Sequence, residues 1–196
     1  APHLLGAHSP FDYAAQAEVL IVTDVPKGDI SALAGAYGRL IEAAGGGALG
    51  LFTAIRRLRA VYGRIADRLA RGGLPLYAQH VDPIDTGTLV MEQVPWPKPS
   101  ILHRARRAAQ GGGAADDRLI RARLAQAFGR LIRSTDDHGH FVVLSAAFPS
   151  RLLGAFPPGT PIHRVTLDEA LQRVAAGVDG RSGESRPQQG AEAREL

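Results

Sequence analysis

The chain has 196 residues, 45 % hydrophobic and 21 % charged, the composition of a soluble globular protein and the length of one domain, or one and a half. It contains no cysteine, which excludes a disulfide framework, a thiolate metal site, an iron–sulfur cluster within the chain and a cysteine nucleophile. Its net charge of +4 is unevenly placed: between Lys98 and Arg133 nine Lys/Arg stand against two acids, so the rest of the chain sums to −3.

In chain order, Val19-Leu-Ile-Val22 is a short apolar run closed by turn residues and reads as a strand. Ile30 to Ala44 has helical spacing and stops at Gly45-Gly-Gly47. Ala48 to Phe52 reads as a buried strand leading into Thr53, and Ala54 to Leu69 as a basic helix closed by Gly72-Gly73. Leu74 to Gln79 reads as a further strand. Strand, helix and strand in that order predict an α/β fold with a parallel sheet. The prolines of Pro95-Trp-Pro-Lys-Pro99 force an extended loop. Ile101 to Ala109 reads as a short basic helix, Gln110 to Gly113 as a break, and Asp116 to Arg133 as a longer helix. A turn at Asp136–Gly139 leads to a buried strand, His140–Leu144. Pro161–Val165 reads as an edge strand and Thr166–Ala176 as a last helix, with Thr166 and Glu169 as its capping box. The polar, charged stretch from Gly177 to Leu196 reads as a disordered tail, leaving 1–176 as the folded domain.

The basic block from Lys98 to Arg133 points to a polyanion, or else to helices kept soluble by their charge. Within it, Gln126, Gly129, Arg130 and Arg133 fall at i, i+3, i+4 and i+7, on one face of the expected helix. Leu124, Ala127, Phe128 and Leu131 share the opposite face, which would pack on a core. Two arginines one turn apart can clamp a phosphate with fork-shaped donors that stay charged. Gly129 would leave room for close approach, at a cost of roughly 0.8–1 kcal/mol in a helix interior. The same spacing also describes a solvated basic face. Aromatic interleaving is not regular in this block, so base stacking is not indicated by pattern.

Other chemistry is missing. Gly45-Gly-Gly47 lacks the Gly-Lys-Ser/Thr of a phosphate-binding loop and reads as a turn. No acidic pair stands at a strand end to hold magnesium. The seven histidines do not form a metal set, and Ser9 and Ser145 lack a Gly-x-Ser-x-Gly context. No apolar run is long enough to span a membrane and no signal peptide is visible, so no membrane partner and a cytoplasmic location are expected. Ala1 in place of methionine points to a processed product or a fragment.

Gln126-x-x-Gly129-Arg130-x-x-Arg133, followed by a turn and a buried strand, resembles motif VI of superfamily 2 helicases, and Leu131-Ile132 before the last arginine resembles the DinG/XPD-like branch. Ser9-Pro-Phe-Asp-Tyr13 before a strand resembles the start of the second motor domain in that branch. Leu51-Phe-Thr53 before a helix resembles its motif IV region, and Glu92 to Pro99 the strand and proline loop ahead of motif VI. The resemblance runs from about Ser9 to Ala176. It implies a RecA-like C-terminal motor domain of an ATP-dependent DNA helicase. Arg130 and Arg133 would be arginine fingers toward ATP, which with Mg2+ would be held mainly by an N-terminal motor domain. Gln126 would couple phosphate state to closure, and Gly129 would allow close approach. Thr53 and Arg56 would contact a phosphate of single-stranded or forked DNA.

Two departures stand against the family pattern. The strand and Gly-Val-Asp-containing motif V expected between Val90 and Met91 are not there; Val90 joins Met91 directly. Ser145-Ala-Ala-Phe148 stands where Asp-Pro-Arg is common. The alternative function is therefore a nucleic-acid-binding module that kept the fold and lost the ATPase cycle.

Overall fold

The computed structural model describes residues 10–74, 76, 87–97, 100–109 and 112–182. Five strands, β1 (Ala17–Val22), β2 (Ala48–Leu51), β3 (Thr88–Met91), β4 (Gly139–Leu144) and β5 (Ile162–Val165), form one sheet in the order β2-β3-β4-β1-β5. Every pairing is parallel. A parallel sheet needs a crossover between successive strands and cover on both faces. Helices α1 (Tyr13–Gln16), α2 (Ile30–Ala43), α3 (Ile55–Arg71), α4 (Ile101–Ala109), α5 (Gly113–Phe128) and α6 (Leu167–Ser182), with a 3-10 turn at Ser150–Ala155, surround it. This is an α/β architecture of the RecA-like kind, in agreement with the sequence reading.

Side-chain alternation assigns the two faces. Leu20, Val22, Val90, Val142 and Leu144 pack against α2, α3 and α6. Val19, Ile21, Leu89, Met91, Phe141 and Val143 pack against α5 and the 3-10 turn. On that second face Phe128, 2 % exposed, is the hub of an aromatic cluster. Its ring lies 5.8 Å from Tyr13, 5.9 Å from Phe141 and 5.7 Å from Phe156.

Local chemistry sets the ends. Asp29 caps α2 through bonds from the Ser31 and Ala32 N–H at 2.8 and 2.9 Å. Gly45, Gly46 and Gly47 all have positive φ (62°, 93° and 59°), a turn that side chains would resist, and this stops α2 as expected. Thr166 accepts the Glu169 N–H at 3.2 Å, the backbone half of the expected capping box.

Five expectations need correction or lie mostly outside the described residues. The helix expected over Asp116–Arg133 ends at Phe128; Gly129 is its C-cap and residues 130–131 form a turn. The last helix runs on to Ser182, so 177–182 is helical rather than tail; 183–196 lie outside the described residues. Ala48–Leu51 is half-exposed, because β2 is an edge strand with one neighbour. The strand expected at 74–79 lies mostly outside the described residues, and Leu74 and Leu76 are not in a strand. The strand ahead of the proline loop is Thr88–Met91, not a segment starting at Glu92. It runs unbroken across Val90–Met91, in register with both neighbours.

Removal of the Phe128 ring would open the centre of this cluster. Phe128→Ala is expected to cost about 3–5 kcal/mol of stability, read as a lower urea midpoint at unchanged slope. A loss under about 1 kcal/mol would show that α5 is anchored elsewhere.

Candidate functional site

Adjacent strands whose connections leave to opposite faces of a parallel sheet open a crevice at their carboxyl ends. That is the situation of β2 and β3: β2 leads into α3 on one face, and the connection after β3 brings α5 onto the other. A cleft of about 980 Å³ begins there. Thr53 and Gln93 lie at the two strand ends. A stripe of α5 that includes Asp116, Arg123 and Gln126, with Arg130 just past its end, lines the other side.

The floor of the strand ends is a buried polar knot. Glu92 is 2 % exposed, with its carboxylate wholly buried. It accepts the Thr53 N–H at 2.8 Å, the Thr53 hydroxyl, and the Arg57 Nε–H at 2.6 Å. Gln93 Nε2 donates to the Thr53 hydroxyl at 2.9 Å. Beneath it the Tyr37 hydroxyl donates to the Leu51 and Val90 carbonyls at 3.0 and 3.2 Å. Burial pushes the Tyr37 hydroxyl well above its usual range, the Glu92 carboxylate adds to this, and Arg57 works against it. A buried carboxylate is tolerable here because donors converge on it.

The sequence-derived residues divide. Gln126, Arg130 and Thr53 share the cleft; Gly129, Arg133 and Arg56 do not line it. Since α5 ends at Phe128, Arg130 and Arg133 are not on one helical face, which corrects the expected i, i+3, i+4, i+7 stripe. Gly129 has ordinary φ (−63°), and a Cβ there would sit 3.4 Å from the Ala125 carbonyl, so the backbone does not demand glycine. As a C-cap it also escapes the interior-glycine cost. Arg56 is exposed on the first turn of α3, while its neighbour Arg57 turns inward to Glu92. Both Thr53 donors end on Glu92, so a phosphate arriving there competes with a carboxylate.

Arg133 sits on a pinned loop at the amino end of β4. Gln16, 5 % exposed, directs its Nε2 at the carbonyls of Ser134, Thr135 and Asp137 at 2.9–3.0 Å. Asp137 accepts the N–H of Arg133 at 2.6 Å and of Ser134 at 2.8 Å. Partial burial works to raise the Asp137 carboxyl, but these two backbone bonds, with the Ser134 side chain and the Arg133 charge, hold it below the usual range. Among the described residues, the side chains of Arg130, Arg133 and Arg56 enter no ion pair. Of these, the Arg133 charge already acts on Asp137.

Glu92, Arg57, Gln93, Gln16 and Asp137 were not singled out by sequence reasoning. Only Glu92 carried a signal, as an acid directly after the apolar run Leu89–Met91. No protein-family model and no curated protein sequence matches the chain.

Two outcomes test the knot and the loop. Glu92→Ala strands the Arg57 charge and the Thr53 N–H, and is expected to cost about 3–5 kcal/mol in denaturant unfolding; near-neutral behaviour would mean that the knot is solvated. Asp137 has a folded pKa below its unfolded value of about 3.9. Its contribution is full above that value and drains as pH falls through the folded pKa. Thermal melts of Asp137→Asn between pH 7 and 3 should show a flatter acid limb than wild type, and parallel limbs would exclude the assignment.

Proposed function

We propose that this chain is the RecA-like second motor domain of an ATP-dependent DNA helicase similar to the DinG/XPD-like branch. One observation carries the reading: a single cleft, beginning at the carboxyl ends of the paired strands β2 and β3, is lined by Thr53 and Gln93 and also by Gln126 and Arg130. The guanidiniums suit a phosphate, and the chain has no phosphate-binding loop of its own. The phosphate must then be presented by another domain. Arg130 and Arg133 would hold the terminal phosphate of ATP, whose Mg2+ and remaining phosphates belong to an N-terminal motor domain. Bound ATP supplies the energy for closing the two domains on each other. Gln126 would sense the phosphate. Thr53, with the exposed Arg56 beside it, would meet the backbone of single-stranded or forked DNA. The protein would act in the cytoplasm.

Support for Arg133, which does not line the cleft, comes from the loop that carries it. A finger must be held before the reaction, and the loop carrying Arg133 is fixed by Gln16 and Asp137. A second reading, a binding module without the ATPase cycle, draws on a different observation: β3 crosses Val90–Met91 without a break, so the sheet closes without a motif V segment.

In the protein joined to its N-terminal motor domain, Arg133→Ala should lower DNA-stimulated ATP hydrolysis by about 10³–10⁵-fold while ATP binding stays nearly intact. Phosphate release and nucleotide binding measure the two; turnover near wild type would remove the finger assignment. The encoding gene separates the two readings. A phosphate-binding loop upstream and a motif V insert between Val90 and Met91 favour the motor, and a complete frame lacking both leaves the binding module.

A further inference from the structure

We propose that Trp96 is a stacking platform for a base of single-stranded DNA at the mouth of the cleft. This deepens the DNA-binding reading above and rests on it. Trp96 is the only tryptophan in the chain, and it is 44 % exposed although large aromatic rings are usually driven inside. It lines the same cleft as Gln126 and Arg130.

The ring is presented rigidly. Pro95 and Pro97 on either side fix their own φ and hold the residues before them extended. The Trp96 N–H donates to the Val94 carbonyl at 2.8 Å. Arg123 Nη1 donates to the Pro95 carbonyl at 3.1 Å and ties the loop to α5. The Arg151 guanidinium carbon lies 5.6 Å from the indole centroid. Arg151 is in turn held by Asp117 at 2.8 Å, and its carbonyl accepts two bonds from Arg121 at 3.1 and 2.7 Å. The indole is thus backed by a fixed cation and still open to solvent.

Charge makes nucleic acid the fitting occupant. Arg107, Arg123 and Arg130 line the cleft against one acid, Asp116, which Arg107 offsets at 3.5 Å. A basic groove with an exposed aromatic ring at its mouth is the combination that binds single strands, phosphates along the groove and bases on the ring. The absence of regular aromatic interleaving in the sequence does not matter, because one ring suffices when the fold brings it to the groove.

The lone tryptophan provides the test. The full chain is titrated with a fluorescein-labelled oligothymidylate of about 15 nucleotides, and with an abasic strand of equal length, at low salt. Label anisotropy reports binding; Trp96 emission, read with the unlabelled strands, reports stacking. The expected result is binding of oligothymidylate with quenched emission. Trp96→Ala should weaken that binding about 5- to 150-fold, the range of one lost base stack, while Trp96→Phe retains most of it. The abasic strand should bind wild type and Trp96→Ala alike, without quenching. Binding of oligothymidylate without quenching, unchanged in Trp96→Ala, would overturn the platform and leave the DNA reading standing. No binding of either strand would overturn both, and quenching only by an added acidic peptide would assign the ring to a protein partner instead.

Discussion

The packing of the Phe128 ring between Tyr13, Phe141 and Phe156 governs what the rest of this molecule can present. A helix rolls to bury its largest apolar side chain, and every other residue on it then points where the roll allows. With Phe128 inside, together with Ile120, Leu124 and Ala127, the stripe containing Asp116, Arg123 and Gln126 is turned to the β2–β3 cleft. The same ring fixes where the helix stops. Gly129 follows at once, Leu131 and Ile132 return to the core, and only then does the chain reach Arg133.

The two arginines consequently occupy different mechanical settings. Arg130 leaves the end of a helix anchored by the aromatic cluster and lies along the cleft. Arg133 belongs to a loop whose carbonyls are gathered by one buried amide, Gln16, and whose N–H groups are capped by one carboxylate, Asp137. Neither depends on the other for its position. At the far end of the cleft, Glu92 plays the comparable part for the tips of β2 and β3, drawing Thr53 and Arg57 onto a single buried charge. The backbone carrying Arg130 and Arg133 is thus fixed before any anion arrives, whereas the Thr53 and Arg57 donors are already engaged by Glu92.

Elements with strong local signals were legible in the sequence. The apolar run Val19–Val22, the Asp29 cap and the triple glycine that stops α2, and the Thr166 cap all act within a few residues of themselves. What failed was set by tertiary context. Helical spacing continues past Phe128 to Arg133, but Leu131 and Ile132 serve the core from a turn, which periodicity does not distinguish from a further helical turn. The half-exposure of β2 follows from its place at the sheet edge, and strand order is not a local property. The Glu92 knot joins residues 35–40 positions apart, and Gln16 reaches across 118 or more, so neither leaves a spacing to find. Trp96 escaped attention because it is a lone aromatic, and its value comes from Arg151 and the cleft wall brought to it by folding.

The continuity of β3 bears on how such a domain can tolerate change. Parallel strands pair residue by residue, so a segment removed between two apolar stretches leaves a working sheet only if the joined halves keep the alternation of faces. Thr88-Leu-Val and Met91 do so: Leu89 and Met91 enter the core under α5, and Val90 enters the core under α2 and α3. The junction therefore satisfies both faces, and Glu92 still falls one residue beyond the strand, where Thr53 and Arg57 meet it. Fold and cleft thus form with Val90 joined directly to Met91. On the proposed reading, the groove offered to nucleic acid is lined by this chain alone, whereas the phosphate would come from a facing domain, so a loss at Val90–Met91 would bear on turnover before binding.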